Sequence, residues 1–294
     1  MSTPRFLDLP PGVQRMDVPT PLGTIAALQA RPTVGGCERH PALLVPGYTG
    51  SKEDFIALLQ TLAQAGRSVV AIDMPGQYQS PPPEDSAAYT RAGLGRIINE
   101  LITTLGNGPF HLLGHSFGGL VTRETVLAGA APLLSYTLMS SGPAAIGGAR
   151  AASARQLVAA LGPTPTPELL REIWMRHLDG PARASDVAEE IYTFLRTRML
   201  SNDPGGLVRM AEELLAAPDR TRELAEVDLP MLVLYGEGDD AWPPDVQAAM
   251  AERLRARCVV VPGAAHSPNV EAPETTADAL TSFWNKAEAP TRVG

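Results

Sequence analysis

The five residues Gly114-His115-Ser116-Phe117-Gly118, followed by Gly119, set a serine among small residues at the spacing G-x-S-x-G. Such a pattern recurs by chance, so its weight comes from context. Here it follows an apolar run, 110–113, that reads as a strand, and it opens a segment that reads as a helix. Glycines on both sides allow the chain to turn sharply and project the serine from the strand end with a strained backbone. The helix start behind it offers unpaired N–H groups to a developing oxyanion. The bland alternative is a serine N-cap in an ordinary strand-to-helix turn.

A serine alcohol is a weak nucleophile until a base removes its proton. Of the five histidines, His266 is the best base, because Pro262-Gly263-Ala264-Ala265-His266-Ser267-Pro268 is a loop directly after the last apolar run. In an open parallel sheet that loop lies at the carboxyl edge, the edge that also carries Ser116. His40 precedes a strand, His111 lies inside one, and His177 falls in a helical stretch. His115 is expected to point away from its neighbour Ser116. The bland alternative for His266 is a loop-stabilising role. A third group must orient the imidazole and favour its charged form. Gly236-Glu237-Gly238-Asp239-Asp240 follows another strand at the same edge. Asp239 is favoured, Asp240 stays open, and Glu237 is the weakest option.

These loops need a sheet to hold them. Strands are expected at 13–18 and 24–30, joined by Pro21-Leu22-Gly23, and at 42–45, 68–72, 110–113 and 133–139. Further strands follow at 231–235 and 258–261. Helices are expected at 54–65, 86–105, after Ser116, at 245–255 and at 274–286. This alternation predicts an α/β fold with a mostly parallel central sheet flanked by helices. Between 142 and 228 no strand-like run occurs. Helices are expected there at 151–161, 167–177, 185–199 and 205–216. The expected organisation is a core of 1–141 and 229–294 carrying a helical cap, or lid, at 142–228.

Composition narrows the class of partner. The 294 residues are 44% hydrophobic and 19% charged, with a net charge of −8, which suits a core-forming protein and disfavours nucleic acid. Two cysteines, Cys37 and Cys258, give no disulfide framework and no metal cluster. Cys258, within an apolar run, is expected to be a small core residue. Residues 1–11 lack a cationic start followed by an apolar run, and no segment suits a membrane span. The expectation is a cytoplasmic protein with no cofactor and no metal, acting on a small molecule.

Taken together, segments 114–119, 236–243 and 262–268 resemble the α/β-hydrolase superfamily, in its capped, lipase- and esterase-like group, over about 13–286. The order Ser116, Asp239, His266 is the one that fold uses. The resemblance implies a Ser–His–Asp triad. It also implies that Val45-Pro46-Gly47-Tyr48-Thr49-Gly50 forms an oxyanion loop, with the backbone N–H groups of Tyr48 and Phe117 as donors. Two positions depart from the family. Pro46-Gly47 stands where His-Gly is usual, so altered loop support is expected. Tyr78 stands where a second glycine is common in 73–80. Ser116 separates the chain from relatives that use an aspartate nucleophile.

The activity so implied is hydrolysis of an ester, thioester or lactone through an acyl-serine intermediate. Carbon–carbon bond hydrolysis, cofactor-free peroxidase-like chemistry and a non-catalytic ligand receptor are the alternatives. Trp174, Tyr192, Phe194 and Trp242, with Met175, Met199 and Met210, are candidates for an apolar pocket between cap and core. The bland alternative, that each merely packs the cap onto the sheet, is the stronger one for any single residue.

Overall fold

Strands made of continuous apolar residues must be covered on both faces, and the sheet of this protein is built that way. The structure, a computed structural model, describes residues 2–289 except 107 and 185. Its eight strands are β1 (Val13–Thr20), β2 (Gly23–Ala30), β3 (Ala42–Val45), β4 (Val69–Ile72), β5 (Phe110–His115), β6 (Leu133–Met139), β7 (Met231–Gly236) and β8 (Arg257–Val261). They lie in the order β1-β2-β4-β3-β5-β6-β7-β8. β1 and β2 form an antiparallel hairpin, β2 joins β4 antiparallel, and every other pairing is parallel. The expected fold class is the one observed.

Alternation along the strands divides the core into two layers. Leu43, Val45, Val70, Ile72 and Leu112 face one cluster, which includes residues of α2 (Arg91–Leu105), α3 (Phe117–Ala128) and α10 (Pro244–Leu254). Ala42, Leu44, Val69, Ala71 and Leu113 face the other, under α1 (Ile56–Gln64) and α12 (Pro273–Ala287). The expected helix at 86–105 is interrupted. Thr90 is extended, with φ −65° and ψ 153°, and its side chain accepts from the Gly93 N–H, so it caps α2 after a 3-10 turn at Ser86–Tyr89. Cys258 corrects the expectation of a core residue. It is exposed, because β8 is the edge strand and one side of its apolar run faces outward.

Between β6 and β7 the described residues form helices and no strand. These are α4 (Gly148–Leu161), α5 (Pro167–Ile173), a π-turn at Trp174–Leu178, α6 (Asp179–Ala184), α7 (Glu189–Leu200), α8 (Pro204–Leu215) and α9 (Thr221–Leu224). The helix expected at 167–177 is therefore broken into three and runs further. Ser185, the expected start of the next helix, lies outside the described residues. One-turn helices such as α9 and α11 (Pro268–Glu271) are too short to print a period on the sequence.

Close approach of backbone at the end of β5 fixes two glycines. A Cβ on Gly114 would lie 2.2 Å from Thr122 Oγ1 and 2.4 Å from the Gly118 carbonyl oxygen, and one on Gly118 would lie 2.3 Å from the Pro46 carbonyl oxygen. Gly114→Ala is expected to destabilise the fold by about 3 kcal/mol, the upper range for overpacking. Gly36→Ala, where nothing lies within 4 Å of the added atom, should be near neutral. Chemical denaturation of the two variants checks the difference.

Candidate active site

The turn from β5 into α3 puts Ser116 at φ 55°, ψ −121°, a conformation that L-residues rarely adopt. Its N–H donates to the Met139 carbonyl at 2.9 Å, and its own carbonyl accepts from Gly119 at 2.9 Å. The turn is thus held between β6 and the first turn of α3, with the side chain pointing off the carboxyl edge.

Two loops of the same edge meet that side chain. His266 Nε2 lies 3.0 Å from Ser116 Oγ, and His266 Nδ1 lies 2.9 Å from Asp239 Oδ1. Asp239 Oδ1 also accepts from the Ala241 N–H at 2.9 Å, and Oδ2 accepts from Gln247 Nε2 at 2.9 Å. Burial alone would raise the Asp239 carboxyl. The His266 hydrogen bond and charge, the Ala241 amide and Gln247 outweigh it and hold the carboxyl below the usual range. An ionised carboxylate can only accept, so the imidazole proton sits on Nδ1 and the Nε2 lone pair faces the Ser116 hydroxyl. Asp240 points elsewhere, to Arg150, with its side chain largely exposed.

The 46–50 segment lies against this turn. Gly50 N–H donates to the Gly47 carbonyl at 3.0 Å, and Thr49 takes φ 59° between them. The contacts that support the loop are these. Gln77 Nε2 donates to the Gly47 carbonyl at 3.2 Å, and the Ser51 N–H donates to Asp54 Oδ2 at 3.2 Å. Tyr78 has a left-handed φ of 44°. The Tyr48 ring is half-buried; its hydroxyl, shielded from solvent and so raised in pKa, donates to the Leu207 carbonyl of α8 at 3.0 Å. The Phe117 ring is wholly buried in the core.

A cavity of about 310 Å³, at the small end for ligand sites, opens above Ser116. Gly47, Tyr48, His115, Ser116 and His266 line its base. Ile146, Arg150, Ala154 and Leu157, with Leu178, Met199 and Leu214, line the opposite wall. The four aromatic residues expected here are absent from the lining. Trp174 and Tyr192 pack in a cluster internal to the helices and share Asp179, which accepts from both side chains. Phe194 packs edge-on against Tyr78 at 5.6 Å, beneath the Arg198 guanidinium. Trp242 lies behind His266, ring centroids 6.4 Å apart, and donates to the Ala144 carbonyl at 3.0 Å. Trp174 and Tyr192 tie helices together, Phe194 and Trp242 pack against core loops, and shorter side chains face the space. Met199 is the one residue of the aromatic and methionine set that lines it.

Sequence reasoning missed His115, Arg150 and Gln247. His115 does not point away. It lines the cavity, and its Nε2 bonds the His266 carbonyl at 2.9 Å. Its place at the last residue of β5 was the available signal. No helix among the described residues is long and apolar enough to cross a membrane. Among them there is also no group of three or more His, Cys, Asp or Glu that could hold a metal ion.

A mostly parallel eight-stranded sheet with a serine on the tight turn after its central strand is the architecture of an α/β hydrolase. The sequence profile of the Alpha/beta hydrolase family matches residues 42–279, and the chain belongs to that family. A 2-hydroxy-6-oxononadienedioate/2-hydroxy-6-oxononatrienedioate hydrolase of Burkholderia vietnamiensis is 30% identical over 213 residues, 68% of this chain and 70% of that protein. A proline iminopeptidase of Lactobacillus delbrueckii subsp. lactis is 34% identical over 87 residues, 29% of this chain and only 30% of that protein. A thermophilic esterase from Thermogutta terrifontis superposes with a TM-score of 0.71 at 24% identity, covering 94% of this chain and 100% of that one. At that identity the likeness is one of fold.

Two imidazoles are held neutral inside the fold. Burial, reinforced by His266, pushes His115 down to about 3, and burial pushes His111 down to about 4 against the pull of Glu288. The unfolded chain takes up these protons near the ordinary value of 6.5. Their contribution to stability is therefore complete above that pH and is lost as pH falls toward 4 and 3. The loss is at most about 1.4 kcal/mol per pH unit for each residue. The raised, buried carboxyls of Asp73 and Asp54 act in the opposite sense over this range, so the check is a difference: from pH 7 to 4 the wild-type protein should lose stability relative to His115→Gln, by no more than that slope.

Proposed function

We propose that this protein is a serine hydrolase that cleaves an ester, thioester or lactone of a largely apolar small molecule through an acyl-serine intermediate. The observation that carries the reading is the unbroken hydrogen-bond chain Ser116–His266–Asp239 at the base of a cavity. Ser116 Oγ attacks the carbonyl carbon while His266 Nε2 takes the hydroxyl proton. Asp239 holds the imidazole by Nδ1 and stabilises the imidazolium that forms. The negative charge develops on the carbonyl oxygen, where backbone N–H groups of Tyr48 and Phe117 serve as donors. His266 returns its proton to the leaving group, and then activates the water that releases the acyl group from Ser116. The helices of 142–228 act as the cap, confining the substrate and limiting water.

Carbon–carbon bond hydrolysis is the second reading, favoured by the 30% identity with the Burkholderia vietnamiensis hydrolase over two thirds of the chain. It needs the same nucleophile edge but a carbon leaving group.

A fluorophosphonate should label Ser116 alone, and a chromogenic short-chain ester should give a burst of one product equivalent per enzyme. Ser116→Ala should lose both, with turnover down by about four orders of magnitude. Labelling at a different serine, or wild-type turnover in the variant, refutes the nucleophile. Ester inertness combined with cleavage of a vinylogous 1,5-diketone favours the second reading.

Between the two neighbouring aspartates the expected effects differ widely. Asp239→Asn should select the wrong imidazole tautomer and lower kcat by about 10⁴. Asp240→Asn, whose carboxylate faces Arg150, should cost far less. Equal losses in the two variants would remove Asp239 from its role.

A further inference from the structure

The cavity wall contains one cation placed where a substrate can reach it. Arg150 lies in the first turn of α4 and lines the cavity that holds Ser116 and His266. The one carboxylate of the same lining, Asp54, is already neutralised. Arg198 Nη1 lies 2.7 Å from its Oδ1, and both side chains are sealed from solvent. The partner of Arg150 is of a different kind. Its Nε and Nη2 lie 2.8 and 2.7 Å from Asp240 Oδ1, but the side chains are 36% and 62% exposed. Such a pair stands in water and is easily exchanged for another carboxylate.

The start of α4 gives no reason for an arginine at this position. The amino end of a helix carries positive partial charge and favours acidic residues. α4 has no acidic residue in its first turn, and Gly147 ahead of it offers no capping side chain. Arg150 therefore adds its charge to an already positive helix end. Its influence reaches the reaction centre, where its charge is among those that push the His115 imidazole down. Along α4, Arg150, Ser153, Ala154 and Leu157 follow the i, i+3, i+4, i+7 spacing of one face, and all four line the cavity. That face grades from a cation to an aliphatic side chain, and beyond it Leu178 and Met199 continue the apolar wall.

The geometry points to Arg150 as the specificity determinant of this site, binding a carboxylate on the substrate in place of Asp240. This rests on the serine-hydrolase reading and narrows it. The preferred substrate is an ester that carries a free carboxylate a few carbons from the scissile carbonyl, as in the monoester of a dicarboxylic acid. The guanidinium presents two parallel N–H donors, which suits a carboxylate and which a lysine cannot reproduce.

The test compares p-nitrophenyl hydrogen glutarate with p-nitrophenyl valerate, which has the same acyl carbon count but no charge. The readout is the ratio of their kcat/KM values, so a general loss of activity cancels. In the wild-type protein the anionic ester should be favoured about tenfold or more, the equivalent of one charge-assisted hydrogen bond. Arg150→Gln should remove that preference, Arg150→Lys should keep part of it, and Arg150→Glu should reverse it. Asp240→Asn, which removes the competing carboxylate, should raise it, and added salt should lower it. Monomethyl glutarate binding to Ser116→Ala protein, measured by calorimetry with and without Arg150→Gln, tests the site without any turnover. Weaker binding in the double variant together with no hydrolysis of any ester by the wild-type protein would refute the ester-cleaving reading and leave the anion site standing. A ratio and a glutarate affinity that both ignore Arg150→Gln would overturn the anion site whatever the esterase activity.

Discussion

Everything at the carboxyl edge depends on one strained turn. Ser116 can hold φ 55° only because Gly114 and Gly118 allow Thr122 and Pro46 to pack where side chains would otherwise stand. The strain is local, of order 1–3 kcal/mol, and the sheet around it supplies the compensation. β5 is the middle of the parallel stack, paired with β3 and β6 along its length and buried on both faces. A turn leaving such a strand has little freedom to relax. The serine is consequently presented at a fixed point, and the loops after β7 and β8 need only reach that point.

Those loops are held by polar contacts as well as by packing. Asp239 spends its lone pairs on the Ala241 amide, Gln247 and His266, so its carboxylate is both ionised and fixed in direction. The segment behind the 46–50 loop is anchored at two buried ion pairs. Lys52 Nζ lies 2.7 Å from Asp73 Oδ2, and Arg198 of α7 lies 2.7 Å from Asp54. Burial pushes the Asp73 carboxyl up against the opposing pull of Lys52, so desolvation is the largest effect on this group. Buried pairs add little net stability, but removing one partner strands the other, at about 3–5 kcal/mol. They fix geometry. The Arg198–Asp54 pair in particular ties a helix of the 142–228 segment to the loop proposed to carry the oxyanion donor.

Much of this was legible in residue order. Strand–helix alternation named the fold class, and G-x-S-x-G after an apolar run located the turn at Ser116. The positions of 236–240 and 262–268 after later strands brought an aspartate and a histidine to the same edge. These inferences succeed because a parallel sheet puts the ends of all its strands on one side, so position along the chain alone assigns the edge. The misreadings share a cause. Cys258 lies in an apolar run, but run composition does not reveal that β8 is the outermost strand. The helix at 86–105 has the right period, yet Thr90 turns its side chain into a cap.

The cavity wall belonged to tertiary structure alone. Trp174, Tyr192 and Phe194 have the size and apolar character of pocket residues. Whether a helix turns such a ring inward to its neighbours or toward a cleft depends on how the helices cross. Here the rings went inward, and Arg150, Leu157, Leu178 and Met199 were left to face the cavity. Asp239 and Asp240 are adjacent in sequence and chemically identical. Only the direction of a short loop separates the one that meets His266 from the one that meets Arg150. Residue type and order determined which chemistry the chain could carry. The packing of helices on the sheet decided what that chemistry faces, because side-chain direction is fixed by contacts between segments far apart in the chain.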